Sequence, residues 1–369
     1  MFNRARIVVL SVMIGSVIAA SHAVPQEKAA AAAQTVTAEA SNKQLYPVQS
    51  NGKYGFMNSE GKLVLPIGFA GYSYSGRPGD PIMVDDAASR SQIYYNSAGK
   101  KLFECQPNEC GTFNDGMAII AAKTQDEAGK TVNRYGYINT EGKVVIPPIY
   151  ANGYQFVEGI ARVSMGKASG FINKQGQLVT PLQYSQTMDF SEGLAVIRYA
   201  VNGKYGYIDT SGKIAIPPSF SGYASSSASF SDGAAVVYED GKYGYIDRKG
   251  KYLLKPQFSM AQPFSEGLAF VERNGVTFYI NKQGKKVIQN IKAGGLFRGG
   301  LAPASPGQRY GYIDRTGKFA IKPTMEWAEP FSGDLAKVIL TSEDDRKTPI
   351  VYAYVNRKGK IVWVDQSTN

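Results

Sequence analysis

One glycine recurs along this chain at a spacing that leaves few folds open. It closes an x-x-Gly turn, usually before lysine, at Gly61, Gly99, Gly142, Gly176, Gly212, Gly250, Gly284, Gly317 and Gly359. Successive copies lie 33 to 43 residues apart. Such a period, kept over most of a chain, means a repeat architecture in which each unit buries its apolar surface against its neighbours. The fifth unit shows how. "LAVIRY" at 194–199 and "KYGYID" at 204–209 are runs of β-forming residues around Asn202-Gly203. An Asn-Gly or Asp-Gly pair between two such runs marks a tight hairpin. It recurs at Asn51-Gly52, Asp240-Gly241 and Asn274-Gly275. Asp209-Thr210-Ser211-Gly212 then leads into "KIAIP". Asp or Asn first and Gly fourth fit a type I turn closed by a left-handed glycine. Asp209, Asp247, Asp314, Asn139, Asn173, Asn281 and Asn356 are therefore expected to cap turns. The third strand is expected to stop at Pro217-Pro218, because proline cannot donate to a ladder.

The spacing predicts an all-β chain of about nine three-stranded antiparallel meanders. Three strands alone bury too little apolar surface, so units must stack. A longer passage links them and keeps an early aromatic and a late Phe, as in Tyr150 and Phe156, Tyr184 and Phe190, and Phe258 and Phe264. These read as plugs between adjacent units. "LYPVQ" at 45–49 supplies a lone first strand, and 352–365 supplies the last two. Propeller blades usually have four strands and rarely exceed eight per ring. Nine units of three strands therefore favour an open solenoid or superhelix over a closed, propeller-like ring.

Residues 1–23 stand outside the repeat. Arg4 and Arg6 precede an apolar run from Ile7 to Ala20 and the small-x-small "SHA" at 21–23. That is the pattern of a cleaved secretory signal peptide. Its apolar run is short for a bilayer span, which needs roughly 20 residues, so no stable membrane insertion is expected after cleavage. Residues 24–43 read as an Ala-rich linker, 44–365 as the repeat domain and 366–369 as a tail. The only histidine, His22, leaves with the signal. The mature chain then has no imidazole for Ser-His-Asp or Cys-His catalysis or for a His-bearing zinc site. Its formal charge goes from +11 to +9, because two arginines and no acid are removed. This balance favours anionic partners. Nucleic acid is not expected, since it conflicts with export. The two cysteines, Cys105 and Cys110, sit in "CQPNEC". In an exported chain they read as a disulfide around a Pro-Asn turn.

The acids Glu158, Glu192, Asp232 and Glu266 recur once per unit at one equivalent turn. A glycosidase needs two carboxylates about 5–10 Å apart around one sugar; a repeated residue at a repeated turn is explained by the turn. No metal or cofactor motif stands out. Within "KYGYID" the two-residue period puts both tyrosines on one face. With Ile facing the core, Tyr137, Tyr207, Tyr245 and Tyr312 would form a stripe beside Lys53, Lys204 and Lys242 at the hairpin ends. These seven residues are the sequence's candidates for binding a protein or an anionic envelope polymer. Against them stands the reading that at least one Tyr of each pair packs between units.

The combined pattern "KYGYID..GK..IPP.Y....FSEGLA.V" resembles the bacterial WG-repeat family over about residues 45–365. The family's Trp-Gly is Tyr-Gly here, at 54–55, 135–136, 205–206, 243–244 and 310–311, and Trp327 and Trp363 lie elsewhere. The resemblance implies an all-β repeat and a binding role, with no established reaction. The expectation is an exported, non-enzymatic binding or scaffold protein of the cell envelope. The alternative is an envelope enzyme acting on glycans through a carboxylate pair.

Overall fold

The computed structural model describes residues 43–365 except 127, 202, 222–227 and 341–349. The signal segment, nearly all of the linker and the tail lie outside the described residues, as does Asn202. The rest is an all-β array of antiparallel meanders in chain order. The first unit has three strands, Tyr46–Ser50, Lys53–Met57 and Leu63–Phe69. The fifth has four, Gln186–Thr187, Leu194–Arg198, Tyr205–Asp209 and Ile214–Phe220. The extra strand comes from the start of the linking passage, so sheets of three and four strands replace the uniform three. Between the eighth and ninth units, the single strand Phe319–Ala328 pairs on both sides and merges two meanders into one seven-stranded sheet.

Both turn types form as their residues require. At the hairpins both central residues have positive φ, as at Asn51 (50°) and Gly52 (71°) or Asp240 (48°) and Gly241 (76°). This backbone twist matches that of paired strands. At the second turn, Asp209 Oδ1 accepts from the amides of Ser211 at 2.9 Å and Lys213 at 3.1 Å. Asp247, Asp314, Asn139, Asn173, Asn281 and Asn356 do the same in their units.

The third strand of the repeat does not stop at the prolines. Ile214–Phe220 runs through Pro217 and Pro218. Tyr205 pairs with Phe220 and Tyr207 with Ile216, so two extra residues bulge opposite Gly206. A bulge frees the prolines from the ladder and bends the strand. It also explains the Tyr-Gly pair. A Cβ on Gly206 would lie 2.6 Å from the carbonyl oxygen of Ile216 and 2.7 Å from the nitrogen of Pro218. The glycine makes room for its own unit's bulge. Prolines in these outer strands also blunt sheet edges that would otherwise recruit other chains.

Among the described residues nine hydrophobic clusters join the units, each built from two successive units or, in one case, from the last and the first. Cys105 and Cys110 are disulfide-bonded and tie the last strand of the second unit, Lys101–Cys105, to the first strand of the third, Cys110–Asn114. The closed loop is short, so changing both cysteines to serine should lower stability by about 2 kcal/mol or less. Denaturant unfolding of the double variant checks this; a larger loss would mean that the bridge holds the joint itself.

Candidate binding surface

Strand direction sorts the surface into two ends. The Asn-Gly and Asp-Gly hairpins of the first, sixth and seventh units stand at one end of their sheets. The Asp/Asn-x-x-Gly turns and the "SEG" turns stand together at the other. Lys53, Lys204 and Lys242 lie exposed at the hairpin end, as the sequence suggests.

The tyrosines do not join them. Tyr137, Tyr245 and Tyr312 are 0 % exposed and Tyr207 is 3 % exposed. The predicted stripe is thereby corrected, and no partner reaches these rings in the folded array. The reason is that units stack on both faces of each sheet, so neither face of "KYGYID" is free. Each ring instead crosses a joint. The hydroxyl of Tyr137 donates to the carbonyl of Tyr154 at 2.8 Å, Tyr207 to Ala228 at 2.9 Å, Tyr245 to Gln262 at 2.7 Å and Tyr312 to Glu329 at 2.8 Å. Each ring also packs on the late Phe of the next unit, with centroids 4.6–5.1 Å apart for Phe156, Phe230, Phe264 and Phe331. Burial raises the phenol pKa of all four.

The recurring acids are joint parts too. Glu158, Glu192, Asp232 and Glu266 all have positive φ, 52–53°. Each carboxylate reaches the next unit's equivalent turn. Glu158 accepts from the amides of Glu192 at 2.7 Å and Gly193 at 2.8 Å. Glu192 accepts from Asp232 at 2.5 Å and Gly233 at 2.9 Å. Asp232 accepts from Gly267 at 2.5 Å, and Glu266 from Gly299 and Gly300 at 2.5 and 2.9 Å. A carboxylate aimed at paired amides acts as an inter-unit cap.

Two features escape a reading of one unit at a time. The first is a row of cations directly after the turn-capping residue: Lys174, Arg248, Lys282, Arg315 and Arg357. Lys174 pairs with Asp115 at 3.0 Å and Lys282 with Asp232 at 3.1 Å, while Arg248 stands 3.7 Å from Glu192. Aligning the turns "NKQG", "DRKG", "NKQG", "DRTG" and "NRKG" would have revealed the row. The second is a hollow of about 320 Å³ across units seven to nine, walled by Pro263, Leu296, Pro303 and Pro330 and by Trp327 against Tyr310. Trp327 is 49 % exposed, with its ring 5.1 Å from that of Tyr310. Nothing in the repeat announces it, because equivalent positions hold Asn152, Gln186, Met260 and Ala293. Among the described residues no group of three or more His, Cys, Asp and Glu could hold a metal ion. Nor is any helix among them long and apolar enough to cross a membrane.

The family model described as "WG containing repeat" matches residues 135–167, 170–205, 205–243, 243–276 and 310–340. The chain belongs to the WG-repeat family. In this WG-repeat chain tyrosine stands where the family name has tryptophan. No curated protein matches its sequence. Among solved structures it is similar to a eukaryotic initiation factor, with 12 % identity, 88 % of this chain and 96 % of that one covered, and a TM-score of 0.60. Apo AztD from Citrobacter koseri gives 12 % identity, coverage of 88 % and 94 %, and a TM-score of 0.35. Kluyvelomyces marxianus Hsv2 gives 9 %, 70 % and 99 %, and 0.36. At these identities the first likeness speaks for the all-β fold alone, and the other two carry no argument.

Proposed function

We propose that this chain is an exported, non-enzymatic binding or scaffold module of the bacterial cell envelope, built as a closed ring of nine units. The observation that carries the reading is the division of roles within the repeat. Acid, tyrosine and phenylalanine hold neighbouring units together, while Lys53, Lys204 and Lys242 at one end and Arg248, Arg315 and the lysines after the turn glycine at the other stay exposed. A catalytic use of Glu158, Glu192, Asp232 or Glu266 would first have to strip the carboxylate from the amides it caps.

Closure is supported by the joint between the ninth and first units. Tyr46, Val48 and Met57 cluster with Leu335 and Tyr354. The hydroxyl of Tyr46 donates to the carbonyl of Ser332 at 3.0 Å and accepts from the amide of Asp334 at 3.0 Å. The turn glycine of the first unit, Gly61, lies against Val362 as Gly250 lies against Ile216 and Gly359 against Ile321. One contact thus repeats at internal joints and at this one. On this reading the array is a ring, and the sequence's preference for an open solenoid gives way to it.

Export is supported by the Cys105–Cys110 bridge, since disulfides persist in oxidising compartments. Protein from the native host should begin at Val24; N-terminal sequencing that finds Met1 on the bulk of it would remove the export half of the proposal. Capture from envelope extract with chain 24–369 as bait tests the binding half. A partner retained through stringent washing supports it. No partner from envelope, medium or purified wall material would sink it.

A further inference from the structure

The carboxylate relay along the turn-bearing end does not run all the way round. Asp115, Glu158, Glu192, Asp232 and Glu266 hold the equivalent position in units three to seven, but glycines, Gly299 and Gly333, hold it in units eight and nine. The row of cations behaves oppositely. Units one, two, three and five have Ser59, Ser97, Thr140 and Thr210 after the turn cap, whereas units six to nine have Arg248, Lys282, Arg315 and Arg357. A second basic row follows the turn glycine at Lys251, Lys285, Lys318 and Lys360, all exposed.

Each cation faces the acid position of the preceding unit, so Arg315 stands beside the Glu266-Gly267 turn and only Arg357, which meets Gly299, lacks the acid. Arg248 and Lys282 still face Glu192 and Asp232. Arg357 instead donates to three carbonyls, those of Arg298 at 3.1 Å, Gly299 at 2.9 Å and Gly333 at 2.7 Å. It thereby clamps the turns at Gly299 and Gly333 while keeping its charge. Gly299 has no Cβ because the guanidinium of Arg357 occupies that space. Arg298, Arg315, Lys318, Lys358 and Lys360 lie at the same end, with no carboxylate ion pair among the described residues. Asp334, one residue after Gly333, is an exposed acid in the turn of unit nine. The acid beside the cation row is thus kept up to Glu266 and lost beside Arg357, where Gly299 stands.

We infer that the turn-bearing end of units six to nine binds a linear anionic glycan, a sugar polymer carrying carboxylate, sulfate or phosphate groups. Two cations per unit over four consecutive units give a regularly spaced track, and a chain of repeated anions is its complement. A single small anion would need one converging pocket, which a row of turns does not make. A single-stranded nucleic acid fits less well, because its binders interleave stacking aromatics with the basic groove. The residues after the four cations are Lys249, Gln283, Thr316 and Lys358. Several weak contacts along one polymer reinforce one another through effective concentration. The inference rests on the reading of the chain as a binding module. It moves the binding surface from the hairpin lysines to the opposite end.

The test uses chain 24–369 with dextran sulfate and polygalacturonate as probes, and neutral dextran and oligothymidylate as controls. Both acidic glycans should bind, more weakly as salt screens the charges. The variant R315Q/K318Q/K358Q/K360Q, which spares the Arg357 clamp, should bind about tenfold more weakly or less, each exposed contact being worth a factor of about two. K53Q/K204Q/K242Q at the hairpin end should stay within about twofold of the parent. Should the fourfold variant melt early, K318Q/K360Q replaces it, with a drop of about threefold expected. Equal losses in the two sets, no loss in the first, or tighter binding of oligothymidylate than of either glycan would overturn the inference. If neither glycan binds while an envelope protein is still captured, the inference falls and the binding-module reading stands.

Discussion

Replacing Tyr245 by alanine should lower the free energy of unfolding by about 3–5 kcal/mol, the usual cost of emptying an aromatic site in a packed core. The ring is fully buried, its centroid lies 4.6 Å from that of Phe264, and its hydroxyl donates across the joint to Gln262 at 2.7 Å. The change therefore removes packing on both sides of one interface and strands a buried carbonyl. Tyr245→Phe isolates the second part and should cost about 1–3 kcal/mol, because the carbonyl of Gln262 loses its partner while the ring remains. Denaturant unfolding followed by far-UV circular dichroism measures both. A near-neutral alanine variant would show that Tyr245 is not a strut. The same burial sets a pH limit. Burial raises the pKa of Tyr137, Tyr207, Tyr245, Tyr279 and Tyr312 above the ordinary phenol value of 10.0. The folded chain holds these protons more tightly than the unfolded chain. Their stabilisation is complete below pH 10 and is lost as the pH rises above it. Phenolate absorbance and loss of β-structure should therefore rise together in an alkaline titration. Ionisation of these five while the fold persists would contradict the assignment.

How far such joints could be read from sequence differs by element. The turns were legible because their chemistry is local. Asp209 and Gly212 specify a type I turn with a left-handed close whatever surrounds them, and Asn51-Gly52 specifies its hairpin. The late aromatics were legible as plugs, since three strands cannot bury enough surface alone. Pro217 and Pro218 misled because a bulge, unlike a ladder position, needs no amide donor, and the partner that permits the bulge is Gly206 across the sheet. Tyr207 and its equivalents misled for a geometric reason. The two-residue period assigns side chains to faces, but it does not say whether a face is wet, and here both faces of the sheet are covered. The acid relay was half legible. Its turn position was evident, but a carboxylate reaching an amide in the next unit is a contact between residues more than thirty apart. The run of Arg248, Lys282, Arg315 and Arg357 required comparison of all nine turns at one position, and its meaning depends on the loss of acid at Gly299 and Gly333.

The joint between first and last units makes the second large prediction. On the closed-ring reading, Tyr46→Ala should destabilise the whole chain by about 3–5 kcal/mol, like Tyr245→Ala. Tyr46 is 3 % exposed, its ring packs edge-on to Tyr354 at 5.7 Å, and its hydroxyl bonds both Ser332 and Asp334. Beside it the amide of Gln49 donates to Asp365 at 2.9 Å. In an open stack the first and last units are ends. Ends fray without loss of the interior, because each unit's stability depends on its nearest neighbours alone. In a ring they are interior, and breaking their joint turns two protected faces into frayed ones. Hydrogen exchange separates the cases. In the parent, amides of Lys53–Met57 and Val351–Asn356 should be protected to the same degree as those of Tyr205–Asp209. In Tyr46→Ala the first and last units should lose protection together, although they are some three hundred residues apart in sequence. Loss confined to the first unit, or weak protection of both in the parent, would show that the ends meet without holding the array closed.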